Sequence, residues 1–259
     1  MTGKEWDKLL ERVSRQLYEG RMEPNSISPE MVSEIAGELF RGMETGYGAV
    51  LADETLEPAR VETLLKLQKN AFHFSGAKNW NHLQEMSALL TDGDGNLKPF
   101  SQFLKDVQLT DTTYNKVYLQ AEYENAVTSA QMIDKWQQIE AEQDVLPYLT
   151  WRTEGSDRVC PICEPLNGLT LKVSHPFWKT NMVPRHFKCH CDIEQNEEGT
   201  ESNLEKMKIP EVHPMFRTNV GLTGVAFSPK HPYFTSMPAK VRKQVFIASE
   251  ELIPERKKK

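Results

Sequence analysis

The fold of the C-terminal half is decided by Cys160-Pro161-Ile162-Cys163 and, after residues 164–185, by His186-Phe187-Lys188-Cys189-His190-Cys191. These two stretches contain all four cysteines of the chain. A C-x-x-C turn places two thiolates on one side of a tight knuckle. In an extended segment Cys189 and Cys191 project to the same face. Soft sulfur and nitrogen donors at this spacing favour zinc over magnesium or calcium.

The two stretches offer five ligands for the four positions of a closed tetrahedral site. The leading set is Cys160, Cys163, His186 and Cys191, with Cys189 as the substitute for one of them. His190 is left out, because it points away from its neighbours if the stretch is extended. Buried free thiols or a disulfide pair are the alternatives to a metal site.

A structural role is predicted for this zinc, and no catalytic residue is assigned. A catalytic zinc keeps one position open and usually has a base beside it. The H-E-x-x-H helix of zinc proteases and the H-x-E with P-C-x-x-C arrangement of nucleobase deaminases are both absent from the sequence. In a small, loop-rich module, zinc replaces the core that short strands cannot supply.

Composition narrows the class of protein. The chain has 259 residues, of which 39% are hydrophobic and 26% charged, with a net charge of −6. An acidic balance argues against a protein that coats nucleic acid, and the basic end Arg256–Lys259 is interpreted as a solvated tail. No apolar run approaches the ~18 residues of a membrane span. Residues 1–19 lack the apolar core of a signal peptide, so synthesis in a cytoplasm is expected.

Apolar spacing predicts that the first 145 residues are mostly helical. Asp92-Gly93-Asp94-Gly95-Asn96 imitates a calcium loop, but Leu97 and Phe103 stand where Gly and Glu are required, so a turn is predicted. The predicted helices cover about residues 4–19, 28–40, 58–72 and 79–90, followed by the longest at about 111–142.

This longest predicted helix carries two apolar stripes. One stripe is sufficient to pack the helix onto its own domain. The second, Met132, Trp136 and Ile139, either completes an internal core or is available to a partner subunit.

The character of the sequence changes near residue 145. In Leu146–Thr153 aromatic or apolar residues are mixed with polar ones, which is typical of a β-strand. Short strands, turns and prolines continue to about Tyr233. The predicted fold class is α+β: a mostly helical N-terminal half with one long helix, then a small irregular β-rich zinc-binding module. The predicted domains are 1–145, 146–235 and a C-terminal helix or tail at 236–259.

Several ordered motifs resemble the phage Mu F-like minor head protein family. The family shows a W/Y-x-T strand, a D-R-V-C-x-x-C/H element, an L-D/N-G turn and a closing P-P-x-H-x-x-C-R-C. Val183 and His190 depart from the closing motif without touching an expected ligand. Tyr118–Gln131 resembles the family's long helix, and the resemblance covers about residues 110–235. The matching stretches are Tyr148–Thr153, Asp157–Cys163, Leu166-Asn167-Gly168, Phe177-Trp178, Val183–Cys191 and Asn219–Phe234.

The resemblance implies a minor head (capsid) protein of a tailed phage or prophage, located in the virion and made in the host bacterial cytoplasm. Such a protein binds the portal or the major capsid protein during head assembly and in some systems aids DNA packaging or ejection. It would be no enzyme and would contact no membrane.

Two alternatives remain open at this stage. A zinc-containing DNA-binding protein would contact phosphates weakly and nonspecifically through Lys172, Lys179, Arg185 and Lys188. A His-metal finger nuclease would use His186 or His190 as its base. It would also need a further histidine, for which His213 and His231, each followed by proline, are the candidates.

Overall fold

The computed structural model describes residues 3–23, 25–112, 118–154 and 160–256. The fold is α+β, as predicted: helices fill the N-terminal half, and a three-stranded antiparallel sheet follows. The Asp157-Arg158-Val159 part of the family motif and Lys257–Lys259 of the basic tail lie outside the described residues. The helices are α1 (Gly3–Tyr18), α2 (Pro29–Tyr47), α3 (Pro58–Ala88), α4 (Phe100–Thr112), α5 (Leu119–Glu142), the single turns α6 (Val220–Thr223) and α7 (Pro232–Thr235), and α8 (Ala239–Glu250).

Helices α1 and α2 begin where the sequence predicted. α1 buries Leu9, Leu10, Val13 and Leu17 on one face, which is the spacing of an amphipathic helix. α2 starts directly after Ser28, whose Oγ accepts a hydrogen bond of 3.4 Å from the Met31 backbone N–H. The side chain therefore satisfies one of the backbone donors that a helix start leaves unpaired.

The helices predicted at 58–72 and 79–90 form one continuous helix, α3, of 31 residues. The prediction of two helices was wrong. Of the helix predicted at 111–142, residues 113–117 lie outside the described residues, so its predicted length stays a prediction. Gly76 lies inside α3 because α8 packs against it there: a Cβ at Gly76 would lie 2.0 Å from Ser249 Oγ. A glycine that looks like a break in the sequence is thus a contact between helices.

Helix α4 was not predicted. It takes up Asp111 and Thr112, and the described part of the next helix begins only at Leu119, so the predicted start at 111 was wrong. Residues 113–117 of that predicted helix lie outside the described residues. The turn predicted before α4 is confirmed, since Asp92 Oδ1 accepts hydrogen bonds from the backbone of Asp94 and Asn96.

The second apolar stripe of α5 is internal core. Met132, Trp136 and Ile139 are 4%, 4% and 1% exposed. Gly221 lies directly against the Trp136 side chain, and the Ile139 carbonyl accepts a hydrogen bond from Gln195 Nε2. The interpretation of this stripe as a partner surface is therefore wrong.

The sheet has the strand order β2-β1-β3, with β1 (Tyr148–Arg152) at its centre. β1 pairs antiparallel with β2 (Thr170–Lys172) and with β3 (Asp192–Asn196). Leu149 and Trp151 of β1 are fully buried. Because β1 leads toward the C-x-x-C stretch and β3 follows the H-x-x-C-x-C stretch, the sheet brings the two cysteine stretches together.

Contacts between residues divide the chain into two compact units. One contains the described residues of Met1–Phe40, Gln68–Tyr123 and His231–Lys259, and its core is built by α1, α2, α3 and α4 around Leu9, Leu83 and Phe103. The other contains Arg41–Leu67 and the described residues of Glu124–Lys230, including the sheet. The predicted domain bounds at 145 and 235 concern independent folding and stay a prediction.

None of the helices in the described ranges carries an apolar stretch that would span a lipid bilayer.

Candidate metal centre

The C-x-x-C stretch forms a tight turn. The Cys160 carbonyl accepts hydrogen bonds of 3.0 Å from the backbone N–H groups of both Cys163 and Glu164. A short 3₁₀ helix, Glu164–Leu166, continues from the turn and buries Leu166. Cys163 is buried, whereas Cys160 is partly exposed. The turn therefore directs one sulfur inward and leaves the other at the rim of the module.

The second stretch bends at Lys188, whose φ of 58° is in the left-handed region. Cys189 is buried, Cys191 is partly exposed, and β3 begins at the next residue. The Nδ1 of His186 lies 2.7 Å from the Phe187 carbonyl oxygen. A carbonyl can only accept, so Nδ1 carries a proton, and in the neutral ring Nε2 offers a lone pair to a metal.

The structure brings the five predicted ligands into two overlapping groups. Cys160, Cys163 and His186 form one group, and Cys163, Cys189 and Cys191 form the other, with all donor atoms of a group within 4.8 Å of one another. His186 Nε2 lies 2.9 Å from Cys160 Sγ and 3.4 Å from Cys163 Sγ. The Sγ atoms of Cys163 and Cys189 are 3.9 Å apart. Cys163 therefore stands at the centre of the cluster.

These separations fit a zinc ion. With Zn–S near 2.3 Å and Zn–N near 2.0–2.1 Å, a tetrahedral site places two sulfurs about 3.8 Å apart and sulfur and nitrogen about 3.5 Å apart. The Cys163–Cys189 and Cys163–His186 distances match these values, and the Cys160–His186 distance is shorter. All four cysteines are free thiols, so the disulfide alternative is not what the structure shows.

The donors of the cluster are strongly coupled. Hydrogen bonds from Cys163 and Cys191 lower the pKa of the Cys189 thiol, and the same bond to Cys189 raises the pKa of Cys163. The hydrogen bond with Cys189 raises the pKa of His186 to about 9, although burial acts in the opposite direction. These hydrogen bonds favour the thiolate form of Cys189, which is the form that binds soft metals.

Arg185 is a feature of the site that the sequence analysis missed. Its side chain is 1% exposed, so its placement among the DNA-contacting cations was wrong. Its guanidinium donates to Asn181 Oδ1 at 2.5 Å and to the Pro210 carbonyl at 2.6 Å, and lies 6.0 Å from the centre of the Trp151 ring. Burial lowers the pKa of Arg185, and the nearby cysteines oppose that effect.

The histidines considered for a nuclease have local structural roles. His175, His213 and His231 each precede a proline, and each accepts a hydrogen bond at Nδ1 from the backbone N–H two residues further on. They cap short helices in this way. His190 is exposed and belongs to neither ligand group.

Comparison with curated proteins gave no match, and comparison with solved structures gave none either. Residues 84–194 match the family model described as Phage Mu protein F like protein. The matched segment contains all five candidate ligands, α5, β1 and β2. The match confirms the resemblance of this segment to that family. Residues 84–194 of this chain are therefore similar to the Phage Mu protein F like family.

Proposed function

We propose that this chain is a minor head protein of a tailed phage or prophage, which binds portal or major capsid subunits during head assembly and has no turnover of its own. The observation that carries the proposal is the family match over residues 84–194. In this role the protein resides in the phage head, and its helices and sheet module act by binding. Aid to DNA packaging or ejection would follow from that position in the head.

The proposal includes one structural zinc per chain, held by four of Cys160, Cys163, His186, Cys189 and Cys191. Cys163 belongs to both groups of donors, which makes it the best supported of the five ligands. The burial of Cys189 and its 3.9 Å separation from Cys163 support Cys189 as a full candidate rather than as a substitute. When bound, zinc supplies a closed coordination shell and no chemistry on a substrate.

The protein residues around the ion hold the ligands in place. The turn at Cys160–Cys163 fixes two sulfurs through backbone hydrogen bonds, and the Phe187 carbonyl fixes the ring of His186. The sheet is only three strands wide, and β2 has only three residues. We therefore propose that residues 146–235 depend on the metal for their stability, since structural zinc contributes on the order of 10 kcal/mol in small modules.

Metal analysis of the full chain, purified without chelator, tests the zinc site. We expect a stoichiometry near one for the wild type and near zero for Cys163→Ser. His190→Ala is the matched control, because this exposed histidine lies inside the same stretch and belongs to neither donor group. A wild type without metal, yet with normal thermal stability, would refute the site.

Co-expression with the portal and major capsid proteins of the same phage or prophage tests the proposed partners. We expect the chain to co-purify with one of them and to be present in assembled heads. Failure to associate with either protein, or magnesium-dependent cleavage of DNA by the purified chain, would contradict the proposed function. Salt-sensitive DNA binding without cleavage would instead favour the DNA-binding alternative.

A further inference from the structure

Arg185 is a buried cation that has no carboxylate partner among the residues that the structure describes. In the described part of the chain its hydrogen-bond acceptors are the Asn181 amide oxygen and the Pro210 carbonyl, both of which are neutral. Its Nε is buried and has no hydrogen-bond partner among the described residues. An arginine stays charged inside proteins, and a buried charge is costly unless an opposite charge lies nearby. The neutral acceptors bind the two terminal nitrogens of the guanidinium but leave its charge uncompensated.

The four cysteines of the cluster are the groups whose negative charge acts on Arg185 and opposes the effect of its burial. Arg185 directly precedes His186, and its backbone N–H donates to Cys189 Sγ. Zinc with three thiolates and one neutral histidine carries a net charge of −1, because three negative charges exceed the two positive charges of the ion. The guanidinium carries a single positive charge, which brings the net charge of the centre and the guanidinium together to zero.

We infer that Arg185 is a positioning residue that compensates the net negative charge of the metal–thiolate centre and so sets its affinity for the metal. This inference rests on the proposed zinc site. Arg185 does not bind the ion; it acts through the ligands beside it. Partners of metal ligands commonly change metal affinity by about 10- to 100-fold when they are removed.

Three variants of the full chain separate charge from packing. Arg185→Met removes the charge and keeps much of the apolar stem. Arg185→Lys keeps the charge and loses the planar guanidinium group with its hydrogen-bond donors. Lys188→Met removes a positive charge from the same stretch at an exposed position, and so controls for a general electrostatic effect.

Zinc affinity is measured by competition with a chromophoric chelator, and the thiolate-to-cobalt absorption band of the cobalt-substituted protein reports the ligand set. We expect Arg185→Met to bind zinc about 10- to 100-fold more weakly with the band retained. Arg185→Lys should keep most of the affinity, and Lys188→Met should match the wild type. If Arg185 only filled space, Arg185→Lys would bind zinc no more tightly than Arg185→Met.

Two results would overturn the inference: Arg185→Met binding zinc as tightly as the wild type, or Arg185→Lys losing as much affinity as Arg185→Met. If Arg185→Met does not fold even with excess zinc, Arg185→Lys provides the test. Zinc affinity of Arg185→Lys equal to that of the wild type supports the charge role, and loss of zinc binding by Arg185→Lys refutes it. A wild type that binds no zinc refutes the metal site itself, which distinguishes that failure from a failure of Arg185 alone.

Discussion

Replacement of Gly221 by alanine tests whether the Trp136 stripe of α5 is internal core. A Cβ at Gly221 would lie 2.2 Å from Trp136 Cβ and 2.3 Å from Trp136 Cγ. Carbon atoms in contact are normally about 3.5–4.0 Å apart, so the added methyl group comes more than an ångström too close. Trp136 Cβ is bonded to the main chain and cannot swing away, so the backbone of α5 or α6 must move. Overpacking of this kind costs about 1–3 kcal/mol, and we expect the upper end of that range.

Urea denaturation of the zinc-loaded chain measures the effect as a change in the free energy of unfolding. Gly93→Ala is the matched control: nothing lies within 4 Å of its added Cβ, and its backbone is not in the left-handed region. We expect the control to change stability by no more than about 0.5 kcal/mol. A stripe that faces a partner subunit would leave the isolated chain unaffected. If Gly221→Ala proves as stable as Gly93→Ala, the packing of α6 on Trp136 is refuted.

Two further predictions concern buried ionisable side chains: the Lys78–Glu122 pair and His82. Lys78→Met should destabilise the chain by about 3–5 kcal/mol, because it leaves the Glu122 carboxylate buried without its cation, and Lys78→Met/Glu122→Leu should recover most of the loss in urea denaturation. Burial, with a smaller effect of Lys78, lowers the pKa of His82 to about 4. Between about pH 6.5 and pH 4 the unfolded chain therefore binds a proton that the folded chain does not, and stability should fall by up to about 3 kcal/mol as the pH drops. His82→Gln should flatten this part of the stability–pH profile, and an unchanged profile would contradict the burial of a neutral ring.

The features that could be predicted from the sequence are those that depend on residues close to one another in the chain. The apolar spacing of α1 gave its buried face, Ser28-Pro29 gave the start of α2, and the cysteine spacing gave the two donor stretches. Each of these signals lies within a few residues, so no knowledge of the distant chain is needed to interpret it.

The features that were missed depend on contacts between distant residues. The predicted helices left residues 73–78 unassigned, and the contact of Gly76 with Ser249, which is remote in sequence, could not be foreseen. The Trp136 stripe could not be assigned from the sequence to the core or to a partner, because Gly221, which packs against it, lies in a single turn without periodicity. Helix α4 has few buried positions, chiefly Phe103 and Val107, and so gave a weak pattern. Arg185 looked like a surface cation, because a sequence does not show which arginines are buried.

The capping histidines have a consequence for the protonation of the imidazole rings. His175, His213 and His231 accept a hydrogen bond at Nδ1, so each neutral ring must carry its proton on Nε2. His186 has the opposite tautomer, with its proton on Nδ1. Nitrogen-15 NMR spectra of the imidazoles should therefore separate the candidate metal ligand from the three caps.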